Sequence, residues 1–136
     1  MQHTKNLAEI GWLDWIDAFS LLGTSESEPV EVTFPNPIYK LWLIRGNPSG
    51  SQYQSGFASG TWTAIWEKHN AIYQETGSVA VISCDSYWCN EAYPNFGISA
   101  YPNIEANMKV MKTLADLGWQ AALDCFTLLG TPTQMG

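Results

Sequence analysis

Basic residues are scarce in this chain of 136 residues: five lysines and a sole arginine, Arg45, stand against 13 acidic residues, for a formal charge of −7. Proteins that hold nucleic acid neutralise its phosphates with a stripe of Lys and Arg, and anionic membranes ask for the same, so neither is an expected partner. Cysteine is also in short supply. Cys84, Cys89 and Cys125 are an odd number in a chain too long to depend on a disulfide framework, which predicts free thiols in a reducing, cytoplasmic compartment. No apolar run is long enough to span a bilayer, because Glu9, Asp14 and Asp17 interrupt Leu7 to Leu22 and no basic segment precedes it. The chain has no Gly-rich phosphate loop ahead of a helix, no GxSxG elbow and no HExxH, which removes nucleotide binding and the common hydrolases from the front rank. Cys84 and Cys89 with His69 lack the second pair of ligands that a zinc site needs, so neither a metal nor another cofactor is expected.

What the chain does have is apolar mass. It is 46% apolar and 13% aromatic, with seven Trp, far from the low-hydrophobicity, high-charge signature of disorder. A chain of this length fits one domain and buries roughly two-thirds of the surface its unfolded form exposes. It also repeats itself. Lys5 to Thr24 (KNLAEIGWLDWIDAFSLLGT) and Lys112 to Thr131 (KTLADLGWQAALDCFTLLGT) align without gaps, with 11 of 20 residues identical. The simplest expectation is a tandem arrangement in which residues 1–24 are a partial copy, a helix end and a strand, left from a preceding unit. Residues 25–37 (SESEPVEVTFPNP) mix acidic residues with Pro as linkers do; residues 38–131 make the full unit and 132–136 a tail.

Within that unit, IYKLWLIR (residues 38–45) is β-branched and aromatic enough for a strand. Gly46 to Gly60, rich in Gly and Ser, is a loop of the length that lids, binding segments or disordered connectors use. Trp62, Ile65, Trp66, Ile72 and Tyr73 then recur at three- and four-residue spacing, the stripe of an amphipathic helix that Gly77 stops. Val79 to Cys84 and Tyr93 to Tyr101 read as the second and third strands. Asn103 is placed to cap a second helix with Ile104, Met108, Met111 and Ala115 on one face, and Ala121 to Leu129 is the last strand. The order βαββαβ predicts an α+β fold, with two helices covering one face of a four-stranded antiparallel sheet in a ferredoxin-like unit.

Residues 38–131, with the aromatic helix WTAIWEKHNAIY, the YPNIEA start of the second helix and the GWxxxxDxFxLLGT ending, resemble in layout the dimeric α+β-barrel superfamily. That group includes EthD-like and antibiotic-biosynthesis-monooxygenase-like proteins and haem degraders. The resemblance implies two sheets, from two chains or two tandem domains, packed into a barrel, with a ligand between each sheet and its helices. Haem degraders of that group use a His on the second helix, and IEANMKVMKTLADLGW contains none; nothing matched here carries the family's catalytic residues over.

His69 falls near the centre of the aromatic stripe of the first helix, so its imidazole is expected to face the sheet. Desolvated there, it would stay neutral and could accept a proton from a phenol or an activated C–H; the alternative is a core His bonded to a backbone carbonyl. Asp124, matched by Asp17 in the repeat, shares a strand face with Ala122, Phe126 and Leu128. A carboxylate in an apolar row needs a partner, and it could orient a His or act as an acid, or sit at a strand end where solvent or a backbone N–H satisfies it. Asp85, just after the second strand, is weighed the same way. Trp42, Trp62, Trp66, Tyr73, Tyr87 and Trp88 could line a cleft for a flat apolar or aromatic molecule, or fill the core and a subunit interface. The leading expectation is a small-molecule-binding protein, a cofactor-independent oxygenase or isomerase with His69 as proton acceptor. The rival is a non-catalytic module for homodimeric or other self-association through the sheet.

Overall fold

The computed structural model describes Glu9 and residues 20–46, 61–89, 92–119 and 123–133. Most of the partial copy in residues 1–24, most of the Gly46 to Gly60 loop, the end of the tail and the side chain of Trp62 lie outside the described residues. The elements are β1 (Thr24–Ser25), β2 (Ile38–Gly46), α1 (Thr61–Thr76), β3 (Val79–Asp85), β4 (Asn95–Tyr101), α2 (Ile104–Asp116) and β5 (Leu123–Gly130). The fold is α+β: two helices and one open antiparallel sheet in the order β1-β3-β4-β2-β5.

The sheet has five strands where four were expected. The fifth comes from Thr24–Ser25, which pairs with Asp85 and Cys84 at the outer edge of β3. The residues that follow stay on that edge, with Glu26 N donating to Ser83 O (2.9 Å) and Val30 N to Val81 O (2.8 Å). An uncovered strand edge leaves a row of donors and acceptors unpaired, and here a stretch whose composition reads as linker fills part of that row. Gly23, one residue earlier, runs so close to β3 and β4 that a Cβ there would lie 2.7 Å from the Phe96 ring and 2.9 Å from Asp85 O.

Each helix has ends that its sequence explains. Asn103 Oδ1 accepts from Ala106 N at 2.8 Å, satisfying one of the donors that the first turn of α2 leaves open. At the end of α1, Gly77 adopts φ +71, where a side chain is disfavoured, and Ser78 N then reaches back to Tyr73 O (2.9 Å) while Gly77 N meets Gln74 O (3.3 Å). That pair of bonds is a Schellman motif.

The core lies between the helices and one face of the sheet. Ile65 and Ile72 of α1, Ala106, Val110 and Leu114 of α2, Tyr101 of β4 and Trp119 pack together, with Ile38 and Leu123 against their edge. Burial of these side chains, each typically contributing about 1.5–3 kcal/mol, fixes both helices over β2, β4 and β5. On β2 the side chains alternate, so Ile38, Lys40, Trp42 and Ile44 face the helices and Leu41 and Leu43 the other side.

Candidate functional site

A cavity of about 310 Å³ opens in this layer. Its floor is the helix-facing row of β2, Lys40, Trp42 and Ile44, with Ser99 and Tyr101 of β4 beside them and Cys125 and Thr127 of β5 on the other flank. Its roof is Trp66, His69, Asn70 and Tyr73 from α1 and Met111 and Leu114 from α2, with Trp119 between the helices and β5. Glu26, Ala80 and Ser83 border it at the β3 side.

Gly97 sets the floor. It sits opposite Trp42 in the β2–β4 ladder, and a Cβ there would collide with the Trp42 indole and with Ile82 O. The absence of a side chain lets the indole occupy the space beside Gly97, so this part of the floor is aromatic. Close approach, rather than an unusual backbone angle, is what this position requires of glycine.

The aromatic roof is ordered by ring contacts. His69 stacks on Tyr73 with 4.3 Å between centroids and meets Trp66 edge-on at 5.2 Å, and Trp66 in turn stands perpendicular to Trp119 at 5.6 Å. Burial holds the His69 pKa below its usual range, with Asn70 pulling weakly the other way. Its Nδ1 lies 3.3 Å from Asn70 Oδ1. A proton on Nδ1 donates to that oxygen and leaves Nε2 with its lone pair, the form that accepts a proton.

Beneath the roof, Tyr73 Oη donates to Ser99 Oγ (2.9 Å) and lies 3.0 Å from Tyr101 Oη. Tyr101 is 1% exposed, and burial first, then the neighbouring Tyr73, push its phenol well above the usual range, so it stays protonated. Lys40 is 5% exposed. Its Nζ lies 3.0 Å from Met111 Sδ and 5.0 Å from the centroid of the Tyr101 ring. Burial pushes its pKa down to about 8, with Cys125 nearby acting in the opposite sense. Burial also raises the thiol of Cys125.

Of the residues singled out in the sequence, Trp42, Trp66, His69 and Tyr73 come together in this cavity. Asp124 is not among its lining residues: strand alternation turns it to the opposite face from Cys125, where it pairs with Arg45 Nε at 3.3 Å, both side chains well exposed. Tyr87 and Trp88 stand exposed in the turn after β3, and Asp85 accepts from Tyr87 N at 2.8 Å. Lys40, Ser99, Tyr101 and Trp119 belong to the site and were not read as such. For Lys40 the signal was present, since IYKLWLIR alternates and Lys40 shares the parity of Trp42. Among the described residues no three His, Cys, Asp or Glu side chains converge as a metal site, and no helix is long and apolar enough to cross a membrane. Compared with protein-family models, with curated proteins and with solved structures, the chain shows no match to any of the three.

Proposed function

We propose that this chain binds a small, largely apolar or aromatic molecule in the cavity between its sheet and its two helices, and that His69 serves there as a proton acceptor toward the bound compound. The observation that carries the reading is the cavity itself: about 310 Å³, at the lower end of the volumes small-molecule sites use, walled by Trp42, Trp66 and Trp119, with the polar groups of Lys40, His69, Ser99 and Tyr101 around it. A neutral imidazole set among phenol and indole rings suits the deprotonation of a phenol or an activated C–H, the first step of a cofactor-independent oxygenation or isomerisation.

The fold supports the same reading at a finer level. The long strands run β3-β4-β2-β5 with both helices packed over one face, a layout suited to a ferredoxin-like unit. In the dimeric α+β-barrel arrangement, a second copy would sit on the other face. One observation favours the rival reading of an assembly module: Phe126 and Leu128, on the face of β5 away from the helices, are 43% and 49% exposed.

The test is to titrate flat aromatic fragments such as toluene, benzyl alcohol and indole into the protein and follow the indole N–H signals by NMR. Shifts at Trp42, Trp66 and Trp119, lost when Ser99→Leu fills the cavity, support binding there. Fragments that leave these signals in place at millimolar concentration sink the binding reading and leave assembly as the account.

A further inference from the structure

Lysine is almost never fully buried without a carboxylate partner, because an ammonium taken out of water loses several kcal/mol of hydration. Lys40 breaks that rule on an interior strand, one in from the β5 edge. It sits on β2 between Ser99 of β4 and Leu129 of β5, so its side chain cannot reach solvent over a sheet edge, and it ends beneath α2 at Met111. The ion pairs among the described residues are Arg45 with Asp124, Lys109 with Glu75 and Lys112 with Asp116, and none involves Lys40. The carboxylate bordering the same cavity, Glu26, accepts from Ser83 and Asn95 at its β3 side.

We infer that Lys40 is the reactive amine of this cavity and that the ligand it takes is an aromatic or apolar aldehyde or ketone, held as an imine. The inference rests on the binding proposal above and names its ligand class. The Nζ lone pair attacks the carbonyl carbon, forming the C–N bond as the C=O pair moves to oxygen. The two protons of the neutral amine pass in turn to that oxygen, which leaves as water, and the nitrogen lone pair closes the C=N bond. Carbonyl compound plus amine gives imine plus water, with no oxidant or reductant. The groups facing Lys40 from the elements around it are Tyr101 of β4, Cys125 of β5, His69 and Tyr73 of α1 and the thioether of Met111 on α2. Burial keeps the Tyr101 phenol and the Cys125 thiol protonated, and the carboxylate that borders the cavity, Glu26, is held by Ser83 and Asn95 and forms no ion pair with Lys40. The surroundings therefore favour the uncharged amine that imine formation requires, and with its pKa near 8 about a tenth of it is neutral at pH 7, against far less than a hundredth for an ordinary lysine.

The experiment treats the whole protein with benzaldehyde and sodium cyanoborohydride at pH 7 and maps the benzylated peptides by mass spectrometry. The expected result is labelling of Lys40 about tenfold or more faster than of Lys68, Lys109 and Lys112, rising with pH to a midpoint near 8, and missing in Lys40→Met while the surface lysines label as before. Labelling of Lys40 no faster than of those lysines overturns the inference. So does tight binding of benzoate without Lys40 labelling, which would make the side chain the partner of an anionic ligand. Toluene read by the indole signals separates the two proposals: if it binds and Lys40 stays unlabelled, the cavity reading stands and the amine falls; if neither occurs, both fall.

Discussion

Lys40 and His69 are bases whose proton affinity the fold lowers, and both tie stability to pH in the same sense. The unfolded chain holds its proton on Lys40 up to about pH 10.4 and the native one only to about pH 8. Between these values the unfolded state binds more protons, so stability rises with pH across that window, and below it the full penalty is present. Lys40→Met, which places a thioether beside Met111, is expected to be the more stable protein at pH 7 by as much as about 3 kcal/mol, with the advantage shrinking toward pH 10.5. Urea midpoints of the two proteins at both values check this; a constant gap would contradict it. The imidazole of His69, lowered by burial, acts further down the scale: as pH falls below its ordinary value of about 6.5, the unfolded chain takes up the proton first and stability is lost. The wild type should lose more stability between pH 7 and pH 5 than His69→Gln does.

At the scale of strands and helices, two positions decide whether the cavity has its shape. Gly97→Ala forces the Trp42 indole off β4 and crowds Ile82 O, and overpacking of this kind costs about 1–3 kcal/mol. The expected signature is a changed Trp emission spectrum together with a lower urea midpoint. Asn103→Ala removes the cap of α2 and should cost about 1 kcal/mol without altering that spectrum, since the cap bonds to Ala106 and neither residue lines the cavity. The helices and the longer strands were legible because each had a local signal, such as the three- and four-residue spacing of α1, Gly77 at the end of α1 and the Asn at the start of α2. β1 was only partly so: Thr24 ends the copy read as a helix end and a strand, but Ser25 opens the stretch read as linker, and only the need of the β3 edge for partners carries the strand across that boundary. The cavity was half legible for a related reason. The aromatic stripe showed which rings gather, but which strand residues lie beneath them depends on register, and the pairing of Trp42 with Gly97 and Thr127 is a long-range fact.

For the molecule as a whole, the question is what the N-terminal segment contributes. Its end covers part of the β3 edge, and Glu26 links Ser83 to Asn95 beside the cavity. Deleting residues 1–28 strips that edge and these bonds, leaving the donors and acceptors of Ser83 and Asp85 open to another chain. Light scattering coupled to size-exclusion chromatography should then show larger species or loss of soluble protein. A monodisperse truncated chain of unchanged oligomeric state would show that the edge needs no cover.

The position of β2 also governs the order in which the molecule can be made. This strand carries Lys40 and Trp42 and pairs on one side with β4 and on the other with β5, so Trp42 waits for Gly97 and Thr127 before its neighbours exist. Pairings between residues so distant in sequence close slowly, roughly in milliseconds to seconds for domains dominated by them. During synthesis, which runs from the N-terminus, the ribosome therefore releases a floor long before it releases the last wall. Until β5 joins, the flank of Lys40 that Leu129 and Cys125 cover stays open to water, so the burial that lowers its proton affinity is completed only with the last strand.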